Sequence, residues 1–141
     1  MPSINLTIKN DLAEFKKITR RVIEFLDANQ VHDTVSYFIR VAIEELVVNA
    51  IHHAFDDDEP HDIEVGLVLD SKHARVRVED DGRPFDPRSV PDPELGGGIE
   101  ERQVGGWGIY LVRSMSNDIA YERDGDRNRV VVTISLEPPR R

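Results

Sequence analysis

The stretch from Arg40 to Phe55, RVAIEELVVNAIHHAF, decides the fold. Leu46, Val47, Ala50 and Ile51 recur at core-facing helical spacing, uninterrupted by Pro or Gly, so one helix is expected from near Thr34 to Phe55. Beside that apolar stripe stand Glu45, Asn49 and His53, four residues apart. A spacing of four places successive side chains one turn apart on one side of a helix. The helix thus carries a carboxylate, an amide and an imidazole in a column. A solvated face would more commonly carry Lys and Glu pairs than an Asn.

Outward from this helix the pattern alternates. Ser3–Ile8 places Ile4, Leu6 and Ile8 on one face of a strand. Asn10 or Asp11 can cap the next helix, in which Leu12, Phe15, Ile18, Val22, Phe25 and Leu26 keep a helical period. Lys16, Lys17, Arg20 and Arg21 form its basic opposite side, read as a solvated face or a docking surface for an acidic partner. After an acidic turn at Asp56–Pro60, Ile63 to Leu69 and Val76 to Val78 read as two strands joined by a hairpin turn. Their alternation predicts an antiparallel or mixed sheet with one covered and one wet face. Phe85 to Val104, just after Pro84, holds Pro87, Pro91, Pro93 and the run Gly96-Gly97-Gly98; an aperiodic loop of this length usually serves as a lid or binding loop. A short helix follows Gly105, then two strands, Asp118–Glu122 and Arg129–Leu136, turned by Asp124-Gly125-Asp126.

The totals bound the function. A chain of 141 residues suggests one domain, spanning 1–141, with its own core. No apolar run reaches the ~18–20 residues of a membrane helix, and the N-terminus lacks the pattern of a secretory signal. With no cysteine, disulfides, thiolate zinc sites and cysteine nucleophiles are excluded, and a cytoplasmic location is expected. A net charge of −9 argues against nonspecific nucleic-acid binding, which rests on Lys and Arg neutralising phosphates. ATP remains open as a ligand, because backbone N–H groups and Mg²⁺ can bind it.

Three segments carry the parts of a nucleotide site. They are the Glu45/Asn49/His53 column, the strand end Glu79 to Asp86 (EDDGRPFD), and the glycines that enter the last helix. Glycines let backbone N–H groups approach phosphates, and a helix N-terminus adds positive potential. An amide oxygen can share Mg²⁺ with phosphate oxygens. A carboxylate at a strand end can accept from an exocyclic amine, and a second can deprotonate a hydroxyl. GxxxxGK[ST], strand-linked GxGxxG, HRD, DFG and HExxH are all absent. A metal site on His52 and His53 is disfavoured, since adjacent helical residues point about 100° apart.

Taken in order, ExxxN at Glu45–Asn49, DxGxP-F-D at Asp80–Asp86 and GGxGxxLV at Gly105–Val112 resemble the N, G1 and G2 boxes of the GHKL (Bergerat-fold) ATPases. That group includes histidine-kinase ATP domains, DNA gyrase B, MutL and the heat-shock chaperone ATPase. The short chain and the sequence VEDDGRPFDP resemble more closely the RsbW/SpoIIAB-like anti-sigma factor serine kinases. The resemblance covers nearly the whole chain and implies a two-layer α/β sandwich: a mixed, mostly antiparallel sheet, helices on one face, and an ATP lid. It implies ATP and Mg²⁺, with Asn49 as the Mg²⁺ ligand and Glu45 as the catalytic base on a partner's serine. It puts His53 near the phosphates, Asp80 on the adenine amine, and Gly82, Pro84 and Phe85 in the adenine loop. Gly105, Gly106, Trp107 and Gly108 would meet phosphate, and Arg102 in the lid would add charge at the γ-phosphate.

Two positions depart from the wider superfamily. Pro84 replaces a second glycine, as in the anti-sigma subgroup, and the lid carries only Arg88 and Arg102 as bases. The implied partners are a STAS-domain anti-sigma-factor antagonist, a sigma factor and a second copy of the chain, joined through the apolar face of the first strand and helix. The competing readings are a nucleotide-gated binding module without transfer chemistry and, ranked lower, a detached ATP domain of a two-component kinase.

Overall fold

The computed structural model describes residues 1–91 and 106–140. In chain order the elements are β1 (Ser3–Lys9), α1 (Leu12–Ala28), α2 (Asp33–His53), β2 (Asp62–Leu69), β3 (His73–Asp80), a 3-10 turn (Pro87–Ser89), α3 (Gly106–Met115), β4 (Asp118–Asp124) and β5 (Arg127–Ser135).

Local chemistry sets the helix starts. Asp11 caps α1, its carboxylate accepting from the N–H of Ala13 at 2.9 Å. The cap of α2 is less common: a ring nitrogen of His32 accepts from the N–H of Thr34 at 3.1 Å. That cap draws α2 one residue ahead of the expected Thr34. At its other end the helix stops at His53, two residues short of Phe55, where Ala54 is the C-cap.

The sheet has five strands in the order β1-β2-β3-β5-β4. Every pair in it is antiparallel, so the sheet expected as mixed is wholly antiparallel. The tight connections explain this for two pairs, since antiparallel strands alone can be joined by hairpin turns. Between β2 and β3, the Asp70 carboxylate accepts from the N–H groups of Lys72 and His73. Between β4 and β5, Gly125 takes φ 60°, where a side chain would be strained.

Alternation divides the sheet into two faces. Leu6, Ile63, Val65, Leu67, Val76, Val132 and Ile134 are buried on the inner one, against Ile39, Ile43, Leu46 and Val47 of α2. Each fully buried aliphatic side chain stabilises by about 1.5–3 kcal/mol before entropy is counted. The outer face carries Arg77, Arg127 and Arg129 around Glu79, while Arg75, farther along β3, pairs with Asp70. Burial works to raise the Glu79 carboxyl, but the hydrogen bond and charge of Arg129, with Arg77, hold it below its ordinary value.

The apolar face of β1 and α1, expected as a dimer surface, packs inside the protomer. Leu6, Ile8, Ile18, Val22 and Leu26 all belong to its core, because α1 lies against β1 and α2. On the basic side of α1, Lys17 pairs with Glu14 and Arg20 with Glu24, as solvated helix faces do. Among the described residues no helix is long and apolar enough to cross a membrane.

Candidate functional site

The column on α2 forms as its spacing requires, with graded burial. Glu45 is half-buried, Asn49 is only 5% exposed, and His53 reaches solvent. Burial pushes the Glu45 carboxyl above its ordinary value, and the neighbouring charge of Glu44 adds to this. The Asn49 Nδ2 is buried without a hydrogen-bond partner among the described residues. A buried amide N–H left unmet is costly, so its place here calls for an explanation.

The loop after β3 is fastened to the end of this helix. The N–H of Arg83 donates to the Ala54 carbonyl at 2.8 Å, and its Nε donates to the His53 carbonyl at 2.7 Å. A guanidinium there satisfies orphan carbonyls and complements the negative end of the helix. Gly82 makes the approach possible. A Cβ at that position would overlap the Ala54 carbonyl oxygen and lie 2.6 Å from the Ala54 Cβ. Phe85 then stacks on the His53 ring, with centroids 4.7 Å apart and planes 20° apart. Pro84, which precedes Phe85 in the chain, is exposed.

Asp80 ends β3, 5% exposed. Its Oδ1 accepts from the N–H of Gly82 at 2.8 Å and from the Asn128 Nδ2 at 2.9 Å. Its Oδ2 makes no hydrogen bond among the described residues. Burial raises the Asp80 carboxyl, opposed by those two hydrogen bonds.

Asn128 is the residue the sequence reading missed. It is 2% exposed and sits directly opposite Asp80 in the β3–β5 register. Its amide also donates to the Arg83 carbonyl at 2.8 Å. Its Oδ1 accepts from the Tyr121 hydroxyl at 2.7 Å, from Arg123 at 3.2 Å and from the Phe85 N–H at 3.3 Å. One side chain therefore ties β3, β4, β5 and the loop together. The signal was present: Asn128, Val130, Val132 and Ile134 share the inward face of one strand, and an Asn in such a row demands partners.

Gly106 and Trp107 open α3, and Gly108 is buried in its first turn against the Glu45 side chain. Gly105 and Arg102 lie outside the described residues, as does the expected lid from residue 92 onward. Arg88 is engaged by the Asp86 carboxylate at 2.8 Å, so it is not held toward the α2 column.

The His52 and His53 ring centroids are 6.5 Å apart with their planes at 63°, and no group of three potential metal ligands assembles among the described residues. The acidic turn has a different use. The His61 Nε2 lies 2.8 Å from Asp57 Oδ1 and its Nδ1 lies 3.2 Å from Asp81 Oδ1, with the ring stacked on Phe55.

The arrangement has relatives. The family profile described as the histidine kinase-like ATPase domain matches residues 8–134. The chain belongs to the histidine kinase-like ATPase family. The serine-protein kinase RsbW of Oceanobacillus iheyensis is 28% identical over 87 residues, covering 57% of this chain and 54% of that protein. The chain thus matches about half the length of that relative. The serine/threonine-protein kinase BtrW of Bordetella bronchiseptica is 24% identical over 102 residues, covering 72% of each. In fold, the chain is similar to a Mycobacterium tuberculosis structure of RsbU and RsbW domains, with TM-score 0.68 at 17% identity over 96% of this chain and 32% of that one.

ATP is this family's ligand, and the chain's own atoms fit it. Asn49 offers an unmet amide N–H, a donor suited to a phosphate oxygen, Asp80 offers a second carboxylate oxygen without a partner among the described residues, and Gly82 keeps the loop low over α2.

Proposed function

We propose that this chain is a Mg·ATP-dependent protein serine/threonine kinase of the RsbW type. Its substrate is a STAS-domain anti-sigma-factor antagonist, and it holds a sigma factor in exchange, as a homodimer. The observation that carries the reading is the pairing on one helix of a half-buried carboxylate, Glu45, with a buried amide lacking a partner, Asn49, one turn away. A structural helix would fill both positions more cheaply with apolar side chains.

The local chemistry supports the role proposed for each residue. Asp80 accepts a hydrogen bond from the exocyclic amine of adenine through Oδ2, with Oδ1 held by Asn128 and Gly82. Phe85 flanks the base, and His53, stacked on it, lies near the phosphates. Asn49 would hold Mg²⁺ through its amide oxygen, and the ion when bound would neutralise phosphate charge. Gly106, Trp107 and Gly108 bring the positive end of α3 toward the phosphates. Glu45 takes the proton from the serine hydroxyl as that oxygen attacks the γ-phosphorus. The bond from the γ-phosphorus to the β,γ-bridging oxygen breaks, and ADP leaves. Phosphoryl transfer requires mainly alignment and charge neutralisation, so little else is asked of the protein. A base works best with a pKa near the working pH, and burial moves Glu45 in that direction.

The test has two stages. Thermal unfolding is measured with and without Mg·ATP, in wild type and Asn49→Ala. A ligand at a hundredfold excess over Kd stabilises by about 2.7 kcal/mol. A Mg-dependent rise in wild type that shrinks in the variant is expected; no rise with any adenine nucleotide refutes the site. Incubation with ATP and a STAS-domain antagonist should then yield phosphoserine or phosphothreonine that is absent with Glu45→Ala. Binding without transfer would leave a nucleotide-gated module.

A further inference from the structure

The glycine at the third position of α3 has a use that phosphate binding does not explain. Gly108 is buried, and the space a Cβ would occupy is filled by one side chain. A Cβ there would overlap the Oε2 and Cδ of Glu45 and lie 2.8 Å from its Cγ. Those three Glu45 atoms are the nearest obstacles, and none is backbone. Gly82 is the contrast, since its obstacles include the Ala54 carbonyl oxygen and carbonyl carbon.

We infer that Gly108 is a positioning residue for the Glu45 carboxylate: its missing side chain leaves a notch in α3 in which the carboxylate rests. The inference builds on the reading of Glu45 as the base. A flexible carboxylate otherwise samples several staggered rotamers. Here α3 stands on one side of it, and the notch admits the observed rotamer. The same contact withdraws the carboxylate from water, in keeping with burial being the main cause of its raised value. Glycine is among the poorest helix formers, and alanine is the best. A methyl group at this position therefore favours the helix and has an inexpensive outlet, namely rotation of Glu45 out of the notch. Alanine also keeps the backbone N–H of residue 108. Gly108→Ala therefore keeps the donor, and the Mg·ATP shift, read beside transfer, tells loss of the notch from loss of phosphate binding.

The experiment compares wild type with Gly108→Ala in three measurements: thermal unfolding with and without Mg·ATP, phosphoserine formation on a STAS-domain antagonist, and a carbon-13 NMR titration of the Glu45 carboxyl in nucleotide-free protein. The variant is expected to fold at least as stably and to keep its Mg·ATP shift. Transfer should fall on the order of a hundredfold, the scale for a reacting group misplaced by about 1 Å. The Glu45 titration should move down toward an ordinary carboxylate, and the acid limb of residual transfer should move with it. An unfolded variant overturns the inference, because the outlet would then not be inexpensive. So does an unchanged Glu45 titration, or full transfer. If wild type transfers nothing, the kinase reading fails separately, and the titration alone decides whether Gly108 sets the place of Glu45.

Discussion

Replacing Asn128 with alanine should damage both the fold and the nucleotide site, and the structure sets the scale. Asn128 is 2% exposed, and its amide joins five partners: Asp80, Arg83, Tyr121, Arg123 and the N–H of Phe85. Truncation leaves the buried Asp80 carboxylate with the Gly82 N–H as its remaining donor. It also strands the Arg83 carbonyl, the Tyr121 hydroxyl and the Phe85 N–H. A buried polar group left unmet costs about 1–3 kcal/mol, and water relieves those that are only partly buried. The sum is about 2–4 kcal/mol. For a chain of this size about 3 °C is lost per kcal/mol, so the unfolding midpoint should drop by about 6–12 °C. Losing one of two opposing hydrogen bonds should also raise the Asp80 carboxyl further and free the loop that carries Gly82. Nucleotide affinity should then fall about tenfold, equivalent to about 1.4 kcal/mol. Calorimetric unfolding gives the first quantity and isothermal titration with Mg·ATP the second. A midpoint within about 2 °C of wild type would refute the assignment of Asn128 as the hub. A lowered midpoint with unchanged affinity would refute its role at the site.

Three further outcomes are expected. Glu45→Gln should abolish transfer, keep Mg·ATP binding and raise the unfolding midpoint. Because burial raises this carboxyl, its ionisation opposes folding, so the gain should be present at neutral pH and vanish as pH falls below the ordinary carboxylate range; an equal midpoint at all pH values would contradict this. His61 is raised, chiefly by its hydrogen bond to Asp57, and only the imidazolium donates to both Asp57 and Asp81. Its contribution should be fully present below the ordinary histidine value of 6.5, fade as pH rises through the folded value, and be missing from His61→Gln at every pH; parallel pH–stability curves for the two proteins would rule it out. Gly82→Ala forces a methyl against the Ala54 carbonyl and should cost about 1–3 kcal/mol while lifting the loop from α2 and weakening nucleotide binding. Wild-type stability and affinity in that variant would show that the loop is free to move.

The sequence by itself determined what depends on neighbours along the chain. The stripe of α2 and the period-two alternation of β1, β2 and β3 located the elements, because an element's period is set by its own backbone geometry. The column of Glu45, Asn49 and His53 was readable for the same reason. Other features required the tertiary structure. The wholly antiparallel sheet follows from a strand order that periodicity does not encode. The apolar face of β1 and α1 looked free for a second copy until its place in the protomer core was known. Asn128 meets Asp80 because β3 and β5 pair in one register, which brings together residues 48 apart; a shift of one residue would turn Asn128 to the outer face. Gly108 meets Glu45 because α3 packs along α2, and a missing Cβ acquires meaning only from what fills its space. Local sequence supplies groups and their spacing along one element, whereas the mutual orientation of groups on different elements is fixed by packing alone.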